Sequence, residues 1–276
     1  MTFQVLSLVL LAAVIHAGWN VWLKLAGDRL VALALMGVGW SIFSTACLPF
    51  IGAPFGVASS YLAVSVIVHL AYTLILIPAY RYADLSVAYP IARGSAPLLV
   101  SVVSAVWIGE AIGVVGLIAV MLIVAGVIGL GFRAALKDYR AVLFSLLGGS
   151  LIAAYTMLDG LGARASASAH AYALWLFILT GIPLLLTALT VHRSRFMGLA
   201  RPIWVKGLGA GVISASAFWM VIWAMTVAPM GLVSAVRESS VAFVVILGGM
   251  MLKERVRWIA VLAILAGVVL VRFAGD

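Results

Sequence analysis

Charge is what this chain has least of. Of its 276 residues 9% are Asp, Glu, Lys or Arg and 66% are hydrophobic, whereas soluble domains carry roughly 25% charged and 45–50% apolar residues. A soluble fold of this size is excluded, and no polar run is long enough to form a separate domain. Cysteine is nearly absent too: Cys47 stands alone, which excludes an internal disulfide, a CxxC redox pair and a thiolate metal site. The four histidines, His16, His69, His170 and His192, are too scattered for a local metal motif. There is no GxSxG elbow, no HExxH and no Walker loop, so the sequence gives no sign of an enzyme, a cofactor or a nucleotide-driven pump.

What is there is apolar sequence of bilayer length. Ten segments can be drawn, at about 4–25, 31–50, 60–80, 85–108, 111–131, 141–163, 168–190, 207–227, 230–252 and 256–273. None shows strand-period alternation, so helices rather than a closed barrel must satisfy the backbone. The expected fold is an all-α membrane protein of ten transmembrane helices. Because no positive charge precedes the first apolar run, that run reads as a retained span rather than a cleaved signal peptide. A net charge of +9 could point to nucleic acid, but the cations sit in short loops, where they act as topology signals. Thirteen of the 15 lysines and arginines other than Arg93 and Arg237 lie in odd-numbered loops, and only Arg164 and Arg272 lie on the other side. The positive-inside rule then puts both termini outside.

Two of these segments share a design. In the stretches 85–110 and 231–254, Arg93 and Arg237 each stand seventeen residues before a glutamate, Glu110 and Glu254, so the stretches align without a gap at an offset of 144. An arginine near the bilayer centre costs about 2.5–3.5 kcal/mol on insertion scales, and incurring that cost twice at matched positions argues for use. The fourth segment matches the ninth, so residues 1–131 should repeat as 141–273. Five spans per copy invert the second relative to the first, giving two inverted five-helix repeats. Counted at 1.5 Å per residue from opposite faces, the two arginines differ in depth by only about 7 Å, so their side chains should meet near the midplane.

Reading each helix at a period of three to four residues finds six with a polar stripe, and these are expected to line a central site. The first carries His16, Trp19 and Asn20, and the third Ser65, His69 and Tyr72. Tyr89 and Arg93, with Pro90 and Pro97, lie in the fourth, and Tyr155 and Asp159 in the sixth. The eighth offers Trp219 and Trp223, and the ninth Arg237 and Glu238. The fifth and tenth carry no charge within the span, are built mainly of small and aliphatic residues, and are expected at the periphery. Each candidate has a plainer reading. The arginines could form a buried lock, and Glu238 could be their counter-ion or a proton site. Asp159 could cap the nearby end of its helix, His16 could be a satisfied core histidine, and the tryptophans could be packing or a cation-binding wall. Glu110 and Glu254 each precede a helix whose positive dipole end suits a carboxylate.

The runs HAGWNVWLK at 16–24, YTMLDGLGAR at 155–164 and SAVRESSVAFVVILGGMMLKE at 234–254 resemble the EamA-like family of the drug/metabolite transporter superfamily, and the resemblance covers the whole chain. It implies two five-helix repeats around a central cavity in a bacterial inner membrane. It also implies export of amino acids or related carboxylates and zwitterions by alternating access, driven by an ion gradient in which the proton is the usual coupling ion. A monomer or homodimer in contact with membrane lipid is expected, with no nucleic acid partner. An uncoupled facilitator, or a non-transporting subunit or receptor, would share these features. Two departures stand out: the second half has no prolines matching Pro90 and Pro97, and its glutamate lies closer to the following Ala-Gly pair. Relatives are generally drawn with both termini inside, opposite to the charge bias.

Overall fold

The computed structural model describes the chain except for residues 53–55, 83–84, 136–138, 253–255 and 275–276; the side chains of 24, 76–82, 85–89, 131–135, 139–141, 248 and 251–252 also lie outside the description. Every regular element among the described residues is helical. In chain order these are α1 (Phe3–Leu25), α2 (Arg29–Cys47), α3 (Ala58–Tyr82), α4 (Leu85–Val103), α5 (Gly113–Ala135), α6 (Tyr139–Ala165) and α7 (Ala169–His192), followed by a short α8 (Phe196–Ala200). The second half ends with α9 (Trp204–Val227), α10 (Met230–Glu238), α11 (Ser240–Leu252) and α12 (Trp258–Val271). Among the described residues nine stretches are long and apolar enough to cross a bilayer, and α12, with 14 residues, is a tenth, shorter apolar helix. This is an integral membrane protein.

Local chemistry sets the helix ends. Thr2, Asp28 and Ser168 each accept a hydrogen bond from the backbone N–H three residues on, which starts α1, α2 and α7. Asp28 also pairs with His192 at 3.3 Å, tying the start of α2 to the end of α7 on the face that carries most of the cations, called here the basic face. Trp204 and Trp258 are exposed at that end, and Phe50 and Trp107 at the opposite, far end, as expected of aromatic residues at the two membrane interfaces.

Two elements depart from the segment boundaries expected above. The ninth segment is not one helix: α10 stops at Glu238, and Ser239, bonded only three residues back to Val236 O at 3.0 Å, tightens the chain before α11 begins. The link between the seventh and eighth segments contains α8, whose Phe196 and Ala200 pack beneath Val31, Ala34 and Leu35 of α2.

The expected periphery is observed. Helices α5 and α12 lie against each other so closely that a Cβ on Gly126 would come within 2.7 Å of the Ala260 carbonyl. Their other faces, with Val114, Ile118, Ile259 and Leu262, are exposed, as lipid-facing surface should be. The inner faces of this pair join α1, α9 and α10 in the largest buried cluster, while α3, α7 and α9 build a second around Tyr172, Phe177 and Ile222. Helix α4 is held from two sides by glycines. A Cβ on Gly149 of α6 would stand 2.8 Å from the Ala92 carbonyl, and one on Gly231 of α10 would stand 2.9 Å from Ser101 Cα. Those contacts press α4 against α6 and α10 and fix the level of Arg93.

Candidate functional site

The site begins with the local structure of α4. Pro97 has no N–H for the Arg93 carbonyl to receive, and Pro90 interrupts the ladder about two turns earlier, so Arg93 lies between two gaps in the backbone hydrogen bonding of its helix. Arg237 and Glu238 are the last two residues of α10 before the break at Ser239.

The two arginines meet on one carboxylate. Arg93 Nε stands 2.7 Å from Glu238 Oε2, an ion pair in which the N–H is not aimed at the oxygen, and Arg237 donates a guanidinium N–H to Glu238 Oε1 at 3.3 Å. Arg93 is 5% exposed, Arg237 3% and Glu238 0%. Arg93 also donates to His16 Nε2 at 2.9 Å and to Ser240 Oγ at 3.2 Å, so His16 receives with a ring-nitrogen lone pair. The Arg237 guanidinium lies over the Phe218 ring, 5.8 Å from its centroid. Two positive charges and one negative leave the cluster one net positive charge, deep in the bundle. Around it, Nε1 of Trp19, Oγ1 of Thr156, Oγ of Ser234 and Ser239, and Nε of Arg237 are buried without a hydrogen-bond partner among the described residues. Each such atom costs about 1–3 kcal/mol unless a polar group meets it.

A second polar group lies beyond Phe218. Asp159 is 0% exposed and does not cap its helix, contrary to one of the roles weighed for it, because α6 continues to Ala165 and both carboxylate oxygens are taken by other helices. Ser65 donates to Oδ1 at 2.5 Å, Tyr172 donates to the same oxygen at 3.3 Å, and His69 Nε2 is 3.2 Å from Oδ2. The His69 ring is stacked on Tyr155 at 4.0 Å, with the edges of Tyr72 and Phe218 closing on Tyr155. Tyr155 and Phe218 thus form the wall between the two polar groups.

The other expected residues are placed differently. Asn20 is spent within its own helix, donating to the His16 carbonyl at 2.8 Å. Trp19 packs edge-on against His16 at 4.6 Å. Trp219 faces away from the arginines: it donates to His170 Nδ1 at 2.8 Å and meets Phe43 edge-on. Trp223 packs against the largest core cluster. The aromatic face of α9 at the site is Phe218, an apolar residue that the polar-stripe reading passes over. The side chain of Tyr89 lies outside the described residues, as does Glu254.

Glu110 is also not where its local sequence puts it. The chain leaves α4 through a π turn at Ser104–Ile108 and then through Gly109 in the left-handed region, with φ of 76°. That turn sends the carboxylate away from the next helix and across to the second half. There Oε2 accepts from Met230 N, in the first turn of α10, at 2.8 Å, and Oε1 pairs with Arg164 at 2.5 Å. Arg164 in turn donates to the carbonyls of Met225 at 2.8 Å and Ala228 at 3.1 Å. One ion pair therefore fastens α4, α6, the end of α9 and the start of α10 together at the far face.

Comparison with known proteins follows this geometry. The model of the EamA-like transporter family matches residues 139–273. A solved crystal structure superposes with a TM-score of 0.65, covering 98% of this chain and 96% of that one at 15% sequence identity, a likeness of fold. No curated protein matches the sequence.

Proposed function

The chain belongs to the EamA-like transporter family, of the drug/metabolite transporter superfamily, and from that premise we propose that it moves a small carboxylate-bearing or zwitterionic metabolite across a bacterial inner membrane by alternating access. Members of the family are membrane transporters rather than enzymes. The observation that carries the choice of substrate is the shared carboxylate. With Glu238 between them, Arg93 and Arg237 hold one uncompensated positive charge, and Arg237 keeps an unpartnered Nε, so an anionic group finds both charge and a donor. A lipophilic cation would meet a net repulsion. Phe218, Tyr155 and Tyr72 supply the apolar wall for the rest of a small molecule.

The mechanism calls for two inverted repeats, which this reading places at 1–131 and 141–273. Several packings recur when the segments of one half are exchanged for those of the other: α1 lies on α9 as α6 lies on α3, and α6 lies on α4 as α1 lies on α11, while α2 packs on α7 and α5 on α12; the broad contact of α5 with α4 has only a slight counterpart between α12 and α10 or α11. Rocking of one half against the other must then release the Glu110–Arg164 pair at the far face. Glu110→Gln should shift the population toward the far-open state about tenfold, since losing a partly buried ion pair and its hydrogen bonds is worth roughly 1–2 kcal/mol. Cysteine accessibility at position 228, a buried alanine whose carbonyl accepts from Arg164, in a chain whose Cys47 has been replaced, reads this directly. An unchanged labelling rate would remove the pair from the gate.

Counterflow in proteoliposomes tests the function. Vesicles loaded with an unlabelled panel of amino acids and small carboxylates are expected to take up at least one labelled member transiently against its gradient. Uptake that only equilibrates, without overshoot, indicates a channel, whereas overshoot with no accumulation under an imposed ion gradient indicates an uncoupled facilitator. Silence across the panel in well-folded protein returns the reading to a subunit or receptor.

A further inference from the structure

We propose that Asp159 and His69 form a proton-binding site distinct from the arginine–glutamate cluster. The charge arithmetic of the two groups differs. Glu238 is compensated by guanidinium groups that are always charged, whatever the pH. Asp159 has no described lysine or arginine within ion-pair distance, and its one ionisable cationic partner is His69. With a neutral imidazole the pair carries a full negative charge in a site where Asp159 is 0% exposed; with one more proton it carries none. An uncompensated buried charge costs several kcal/mol, so a bound proton is the simplest ligand that neutralises the pair.

The geometry provides for both the holding and the delivery of that proton. Ser65 and Tyr172 fix Oδ1 and leave Oδ2 turned to the ring nitrogen 3.2 Å away, the separation across which one proton is shared. The side chain of His69 is 19% exposed, so the imidazole is the way in and Asp159 the buried end. An ammonium group of a substrate is a poorer occupant, because no face of the Asp159 carboxylate is open to it. The groups facing the pair are Tyr155 on α6 and Tyr172 on α7; Arg93 of α4 and Arg237 and Glu238 of α10 act electrostatically at Tyr155, and His16 of α1 stands behind Arg93. The stacked Tyr155 and the Phe218 ring, which lies under Arg237 and edge-on to His69, connect proton and arginine sites without a direct ion pair. Only in naming this proton a coupling ion does the inference rest on the transport reading.

The first test needs no substrate. Infrared spectra of the purified full-length chain in detergent are recorded across about pH 4–9, the range of carboxylates and imidazoles. A parallel sample carries carboxyl-13C aspartate. Of the five aspartates, Asp28, Asp84, Asp138, Asp159 and Asp276, only Asp159 lies within an apolar span, so an isotope-shifted buried carboxyl signal belongs to it. The expected result is a titrating signal that shifts with the label, changes in His69→Gln and is lost in Asp159→Asn. A titration that does not shift with the label, or that persists in Asp159→Asn and disappears in Glu238→Gln, overturns the proposal, and the labelled parent decides even if Asp159→Asn fails to fold. The second test is transport of whichever panel compound shows counterflow. Asp159→Asn should retain exchange and lose all stimulation by an imposed pH gradient. Parent-like stimulation sinks the proton site while leaving the transport reading intact, and a labelled titration in a chain with no counterflow does the reverse.

Discussion

Counterflow is expected to be abolished by Arg93→Met and by Arg237→Met, and the two lysine variants are expected to fail differently. Arg93 uses its planar fork in three directions, toward Glu238, His16 and Ser240. A lysine ammonium, a single charged atom on a shorter side chain, cannot reach all three, and each charge-assisted hydrogen bond lost is worth about 1.5–3 kcal/mol. Arg93→Lys should therefore lower both the unfolding temperature in detergent and the transport rate. Arg237 makes one long bond to Glu238 and has a buried, unpartnered Nε. It is the arginine with donor capacity to spare for a substrate, so Arg237→Lys should keep most of the stability and weaken apparent affinity tenfold or more, the loss of one good charge-assisted contact. Well-folded methionine variants that exchange at the parental rate would dismiss both arginines from binding and gating.

That asymmetry is not visible in the sequence, where the two arginines look equivalent. The sequence reveals elements whose cost is intrinsic to the residue. Apolar stretches of bilayer length are legible because no other arrangement satisfies their backbone in lipid, and the arginines are legible because a charge inside such a stretch needs a reason. The break at Ser239 is not legible, because Glu-Ser-Ser carries neither glycine nor proline and is compatible with a continuous helix. Partners distant in sequence are equally hidden. Ser65 and His69 reach Asp159 from α3, and Tyr172 reaches it from α7, a helix with no polar stripe to announce a contact. Glu110 shows the same limit from the other side: its neighbours in sequence point to the dipole of the next helix, while the left-handed Gly109 delivers it to α10 and Arg164. Phe218 was passed over because its role is to present a ring face, which leaves no trace in a polar pattern.

Loss of the shared carboxylate should be the most destabilising single change in the bundle. Glu238→Gln leaves Arg93 and Arg237 facing each other with two buried positive charges and an amide that neutralises neither. Removing one partner of a buried ion pair costs about 3–5 kcal/mol, and here two pairs lose the same partner. The variant should unfold in detergent many degrees below the parent and express poorly. The decisive measurement is the double variant Glu238→Gln with Arg237→Met. It restores the parental count of one uncompensated positive charge, so it should recover part of the lost stability although it carries more substitutions, a coupling of roughly 0.5–3 kcal/mol of the kind neighbouring sites show. Were Glu238 instead a proton carrier that visits a neutral state in every cycle, a permanent neutral mimic would be tolerated. Glu238→Gln would then unfold with the parent, lose only its response to a pH gradient, and gain nothing from the second substitution. The shared-carboxylate geometry predicts the opposite on all three counts, because two guanidinium groups at one carboxylate make its charge a structural requirement of the fold around them.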